Sequence, residues 1–428
     1  MIKANINVKD NDWYFENVYN NYFCFCKGLC LYEKLTQECK YLFYLYIIDK
    51  NKNLYNKTDY LFADFYFFSS DDTYPIFEKM IKQNINAHYM DEKISIYNKF
   101  CSNETKCLKV IPIINGNPNV DGDFLEKYLD LILKLKAVIV GHQIFSLFNI
   151  FYNIDYITYI NLGHGVKYFK YFSYNNYSSY RKYNKVLLPP SKKIISIAKN
   201  YGWNDNDIIK LCLPKWDKYD DYINKLKLNK HYEHQNKSIF IMFTWRNLTN
   251  NTYKISPIYI KNIVNLINDN NLNKALIKYN ISLYFTLHPN LKFYRKQVKV
   301  SKIIKYIKHE EISDCLMKSN LLITDFSSVI FDMIYQAKPY IMFIPDAYDK
   351  NIKYIYDIGY YEIITRLKNG SFPFENKYLN IRGTVNKAIF YFQRNFTLEP
   401  KLKRFYDSFE LKCKNNTNAF INYLIHNI

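Results

Sequence analysis

Apolar positions along this chain come in short dense runs separated by polar stretches, and the runs change character about halfway along. In the first half, residues 41–48 and 60–68 are aromatic-rich, of strand length and bounded by polar residues, so both are expected to be buried strands. Residues 73–83 carry Ile76, Phe77, Met80 and Ile81, an i, i+1, i+4, i+5 stripe suited to a helix lying on a sheet. Residues 124–135 read as a second helix of this kind, and 137–140 as a strand ending at Gly141. The segment 155–162 leads into a turn at Gly163-His164-Gly165. A short strand at 186–188 is stopped by Pro189-Pro190, after which Ser191 is placed to cap a helix over 192–201.

Beyond this point the alternation becomes regular. Strands are expected at 209–213, 239–243, 281–287, 321–324 and 340–344, interleaved with helices at 259–268, 311–318 and 328–336. Strands alternating with helices imply an α/β fold, a parallel sheet covered on both faces. A chain of 428 residues exceeds one ordinary core, so two domains are expected, 1–190 and 191–390. A C-terminal helical segment, 391–428, would pack back on the first domain. The Lys/Asn-rich tract at 226–237 reads as a surface loop.

Composition narrows the classes. Hydrophobic residues make up 49% of the chain, which excludes a disordered protein. The start of the chain is polar, so no signal peptide is expected. The longest apolar stretch, 137–162, is broken by His142, Gln143, Asn149, Asn153 and Asp155, which argues against a spanning helix. Any membrane association would be peripheral. The formal net charge is +20, attractive to nucleic acid, anionic lipid or an anionic polymer. Abundant Tyr, Asn, Lys and Ile point equally to A/T-rich codon usage as the source of the lysines. The cysteines Cys24, Cys26 and Cys30 lack zinc-site spacing, and no metal site is expected. The odd total of nine, without a disulfide framework, suggests reduced thiols in a cytosol.

The candidate chemistry gathers at strand ends, where doubly wound sheets bind ligands. The strand 321–324 runs straight into Asp325-Phe326-Ser327-Ser328 and then a helix, so two hydroxyls and free backbone N–H groups face one point, as a phosphate site requires. A plain Ser/Asp cap accounts for the same residues equally well. Arg246 ends the strand 239–243, where a guanidinium can grip phosphate oxygens in a two-pronged manner. His288-Pro289 ends the next. In the first half, the flanking glycines of Gly163-His164-Gly165 allow a tight turn, and its imidazole suits a general base, while taken alone the same residues read first as a turn histidine with no chemical role.

These segments, taken in order, resemble the CDP-glycerol glycerophosphotransferase (teichoic-acid polymerase) family. Residues 162–167 resemble its W-H-G-T-P-x-K segment, and Leu213-Pro214-Lys215-Trp216-Asp217 its L-P-R-x-D. Thr244-Trp245-Arg246 is similar to T-W-R, and His288-Pro289 to K-x-H-P. Asp325-Phe326-Ser327-Ser328-Val329-Ile330-Phe331-Asp332 is very close to D-Y-S-S-V-x-F-D. Lys338-Pro339 and 343–346 complete the series. Here Gly163 replaces the family tryptophan, the Thr-Pro after His-Gly is missing, and Lys215 stands for an arginine.

The resemblance implies a GT-B fold, two Rossmann-like domains facing a cleft, the first presenting the acceptor and the second holding the donor. His164 would be the base on an acceptor hydroxyl that attacks the β-phosphate of a CDP-alditol, releasing CMP. His288, Arg246, Asp325, Ser327 and Ser328 would form the donor side, with Asp332 orienting a ligand group or bracing the loop. The implied partners are a CDP-glycerol or CDP-ribitol donor, an anionic polymer or lipid-linked acceptor and an anionic membrane at the cytoplasmic face, with no cofactor. A neighbouring alternative is a GT-B glycosyltransferase using a CMP-sugar, as the polysialyltransferases do; these use an acidic base motif instead of a His loop. A more distant one is a basic nucleic-acid-binding protein, against which stands the lack of any binding motif or ordered basic–aromatic stripe.

Overall fold

The structure, a computed structural model, describes residues 37–63, 73–91, 107–109, 125, 127–141, 154, 156–163, 165, 166, 184–200, 202–228, 237–244, 257–287, 295–298, 301–308, 311–349, 365, 368, 374–411 and 413–428. Two parallel sheets organise them. The first has β1 (Asp59–Ala63), β2 (Ala87–Asp91), β3 (Cys107–Lys109), β4 (Leu135–Val140), β5 (Thr158–Asn161), β6 (Asn184–Leu188) and β7 (Ile208–Lys210), in the order β3-β2-β1-β4-β5-β6-β7. The second has β8 (Ser238–Met242), β9 (Ser282–Thr286), β10 (Ile304–Tyr306), β11 (Leu321–Thr324), β12 (Tyr340–Phe343) and β13 (Lys377–Tyr378), in the order β10-β9-β8-β11-β12-β13. Both are doubly wound Rossmann-like sheets, whose strand order reverses beside the first strand of each.

Helices cover these sheets. In chain order they are α1 (Gln37–Asn51), α2 (Thr73–Lys82), α3 (Leu129–Lys134), α4 (Lys192–Asn200), α5 (Trp216–Leu228), α6 (Pro257–Ile267), α7 (Asn270–Lys278), α8 (Ile312–Lys318), α9 (Ile330–Tyr335), α10 (Ile381–Gln393), α11 (Pro400–Asp407) and α12 (Asn416–Asn427). Because successive strand residues point to opposite faces, each central strand feeds two cores. In β1, Tyr60 and Phe62 enter one cluster while Leu61 and Ala63 enter another with Tyr44, Leu45 and Ile48 of α1. In β8, Phe240 goes one way and Ile239 and Ile241 the other. One cluster takes a face of each sheet, Phe62 and Ile139 from the first and Leu322 and Met342 from the second, with Phe420 and Leu424 of α12. Each fully buried side chain of this size contributes about 1.5–3 kcal/mol. The last helix returns to the first half, where the Tyr60 hydroxyl donates to the Leu424 carbonyl at 3.1 Å.

The sequence expectations need four corrections. Residues 41–48 lie within α1, not in a strand: Tyr44, Leu45 and Ile48 are buried at helical spacing, and a short aromatic run carries no period to separate the two. The strand expected at 209–213 is β7, and it pairs with β6 of the first sheet, Val186 opposite Ile208, so the crossover between halves follows it. Ser191 precedes α4, but its buried hydroxyl makes no hydrogen bond among the described residues. Cys212 and Cys413 are joined as a disulfide with Cα atoms 6.2 Å apart, against the expectation of reduced thiols throughout; 201 residues separate them, a pairing no local spacing announces. Cys24, Cys26 and Cys30 lie outside the described residues. Among the described residues, no helix is long and apolar enough to cross a membrane.

Candidate functional site

The carboxyl ends of β8 and β11 meet at the point where the second sheet reverses its strand order. Their register sets Ile323 opposite Ile241, so both chains leave the sheet side by side. Asp325 is fully buried there, and its carboxylate accepts the Thr244 N–H at 3.0 and 3.2 Å. The Tyr259 hydroxyl, from α6, donates to the Thr244 carbonyl at 2.7 Å. Thr244 is thereby held through both its backbone groups, immediately before Trp245-Arg246. One strand over, the Thr286 hydroxyl donates to the Ile307 carbonyl at 3.2 Å, fixing the root of the segment that continues to His288. Arg246, His288 and His164 lie outside the described residues.

Ser327 is nearly buried and Ser328 half-buried in the turn after β11. Their carbonyls accept from Ile330 at 3.2 Å and Phe331 at 3.0 Å, opening α9, which has only six residues. It is shorter than the expected 328–336, so the dipole contributes less to this turn than a long helix would. Phe326 is turned into the core shared by the two sheets.

Against this turn comes a segment of the other half. Gly163 and Gly165 both have positive φ, 69° and 156°, and the Gly163 N–H donates to Asn161 Oδ1 at 2.8 Å. A Cβ placed on Gly165 would stand 2.5 Å from Ser328 Oγ and 2.9 Å from Ser328 Cβ. Only glycine allows this approach, so Gly165 rests directly on the Ser-Ser turn. Two segments far apart in the chain thus face each other where the halves meet.

The remaining acidic residue is engaged elsewhere. Asp332, on α9, accepts the Trp216 indole N–H at 2.7 Å, and Lys215 Nζ stands 3.3 Å from the same carboxylate. All three side chains are buried. The carboxylates of Asp325 and Asp332, expected on the donor side, are therefore both bonded to protein groups. Lys215 and Trp216 were legible only as part of a motif; nothing in the local pattern shows that they reach across to Asp332.

The sequence profile of the family described as CDP-glycerol:poly(glycerophosphate) glycerophosphotransferase matches residues 67–363. The chain belongs to that family. Among curated relatives, the minor teichoic acid biosynthesis protein GgaB of Bacillus subtilis (strain 168) is 28% identical over 254 residues, which is 54% of this chain and 25% of GgaB. The match thus spans about a quarter of that relative's length. Among solved structures, the wall teichoic acid polymerase TagF superposes with a TM-score of 0.59 at 18% identity, covering 96% of this chain and 97% of the other. UDP-GlcNAc 2-epimerase from Neisseria meningitidis, bound to UDP-GlcNAc, gives 0.52 at 14% identity, covering 86% and 100%. At these identities the likeness concerns the fold, and with the two reversing sheets it makes the architecture GT-B-like.

Proposed function

We propose that this chain transfers a glycerol-phosphate unit, or the related ribitol-phosphate unit, from a CDP-alditol to a hydroxyl of a cell-surface polymer, releasing CMP. The observation that carries this reading is the contact of Gly165 with Ser328, in a chain of this family. It brings Gly165 of one half onto the hydroxyl-bearing turn of the other. His164, adjacent in the chain to Gly165, takes the acceptor proton. The acceptor oxygen bonds to the β-phosphorus, and the bridging bond to the α-phosphate breaks, so CMP carries away the electron pair. Ser327, Ser328, Arg246 and His288 hold the pyrophosphate and the charge that develops on it. Asp325 and Asp332 act through the protein; a buried carboxylate beside a pyrophosphate would repel it. The net charge of +20 supports a working position on an anionic membrane surface.

The test is CMP release from CDP-glycerol, CDP-ribitol and CMP-sialic acid, in the wild type and in His164→Ala. Wild type is expected to turn over a CDP-alditol and leave the CMP-sugar intact. His164→Ala should retain donor affinity and lose roughly 10²–10⁴-fold in turnover, the scale of losing a general base. Wild-type turnover in that variant would place the base elsewhere.

A further inference from the structure

The Ser327–Ser328 turn is held from both sides by carboxylates, and each reaches a different half of the molecule. Asp325, two residues before Ser327, accepts from Thr244 at the end of β8 in the second sheet. Asp332, four residues after Ser328, is bound by Lys215 and Trp216, which follow β7 of the first sheet by a few residues. The node extends further. Trp216 stacks on Tyr335 at 4.4 Å between ring centroids, and the Tyr335 hydroxyl donates to Asp220 Oδ2 at 2.7 Å. Asp217 accepts the backbone N–H groups of Asn416 and Thr417 at 2.7 and 2.8 Å, tying in the start of α12. Among the described residues, the backbone hydrogen bonds of Ser327 and Ser328 are local and run to the start of α9. The side chains of Lys215, Trp216 and Asp332 tie that stretch to the first half.

We propose that Lys215, Trp216 and Asp332 are positioning residues, a clamp that holds the Ser327–Ser328 turn against Gly165 and so sets the spacing between donor and acceptor. The role of that turn in donor binding rests on the function proposed above; the clamp itself does not. Lys215 neutralises the Asp332 carboxylate inside the protein, and the indole N–H aims it. Neither residue touches a reacting atom. Their loss should therefore leave donor binding nearly intact and misalign the transfer.

Trp216→Phe keeps an aromatic ring against Tyr335 but removes the N–H donor together with part of the buried bicycle. Lys215→Arg keeps the cation. Well below the melting temperature, Trp216→Phe is expected to lower kcat for CMP release by roughly 10–100-fold with donor affinity nearly unchanged, and Lys215→Arg to retain most of the rate. Should Trp216→Phe fail to fold, Asp332→Asn keeps an acceptor for the indole while removing the charge, and the same direction is expected. Hydrogen exchange provides a readout independent of catalysis: amides of 325–332 should exchange faster in Trp216→Phe, with β8 and β9 unchanged. Unchanged exchange across 325–332, or a rate loss equal to the unfolded fraction, would overturn the clamp. Faster exchange in a chain whose wild type releases no CMP from either CDP-alditol would support the clamp and overturn the functional reading instead.

Discussion

Ser327 and Ser328 are the residues whose loss should be read most directly in donor affinity. Replacing both with Ala removes two hydroxyl donors from a turn already anchored by Asp325 and α9, so the fold should persist. Each hydrogen bond to a charged group is worth roughly 1.5–3 kcal/mol, and CDP affinity by calorimetry should fall at least about tenfold. An unchanged affinity would remove the turn from the donor site. Lys338 makes a different kind of residue-scale statement. It is half-buried just after α9, donates to the Met317 carbonyl, and desolvation lowers its pKa to about 8 from the ordinary 10.5. The folded chain gives up this proton near pH 8, while the unfolded chain keeps it until about 10.5. Unfolding between those values takes up a proton, so the contribution of this group to stability rises with pH. Burial raises the pKa of Tyr335, Tyr391 and Tyr406, giving the opposite slope above the usual tyrosine range. The clean window is therefore about pH 8 to 9.5. Across it, the melting temperature of the wild type should rise relative to that of Lys338→Met, and parallel curves would show that Lys338 titrates normally.

At the scale of elements, the contact between the turn after β5 and the turn after β11 is the decisive one. Gly165→Ala puts a methyl 2.5 Å from Ser328 Oγ at a φ of 156°. The turns must separate or distort, at a cost of roughly 1–3 kcal/mol. A lower melting temperature and a loss of turnover are expected. Ser328→Gly in the same chain should recover part of the melting temperature by vacating the space. If Gly165→Ala melts like the wild type, the two turns are not in contact in solution. Most elements of the second half were legible because both faces of its sheet are buried, making β8, β11 and β12 near-continuous apolar runs. The site-bearing strand ends at 243–246 and 325–328 were legible for the same reason, since polar residues stand where an apolar run stops. Residues 41–48 defy a local reading because an eight-residue aromatic run suits either a strand or one face of a helix, and packing of Tyr44, Leu45 and Ile48 on the first sheet decides for the helix. The helix expected at 124–135 stops at Lys134, because Leu135 already belongs to β4.

At the scale of the whole molecule, the charge of +20 is the property with the clearest external consequence. If it holds the protein on an anionic membrane, vesicle binding should require anionic lipid and weaken as salt rises, because screening shortens the reach of surface charge to about 8 Å at physiological ionic strength. Co-sedimentation with neutral and anionic vesicles at low and high salt measures this directly. Indifference to anionic vesicles at low salt would leave codon usage as the origin of the lysines.

The amino-acid sequence by itself determined the α/β class, two strand-rich halves and the polar residues at the carboxyl ends of the strands, since each follows from local periodicity and from what interrupts it. The order of its motifs also carried the family. Tertiary structure alone decided that β7 belongs to the first sheet, that Cys212 meets Cys413, that Gly165 lies on Ser328, and that Asp332 is held by Lys215 and Trp216. Each of these joins positions separated by many residues. Such pairings are chosen by which buried surfaces and polar groups can be satisfied together, a condition on the folded whole that no local pattern encodes.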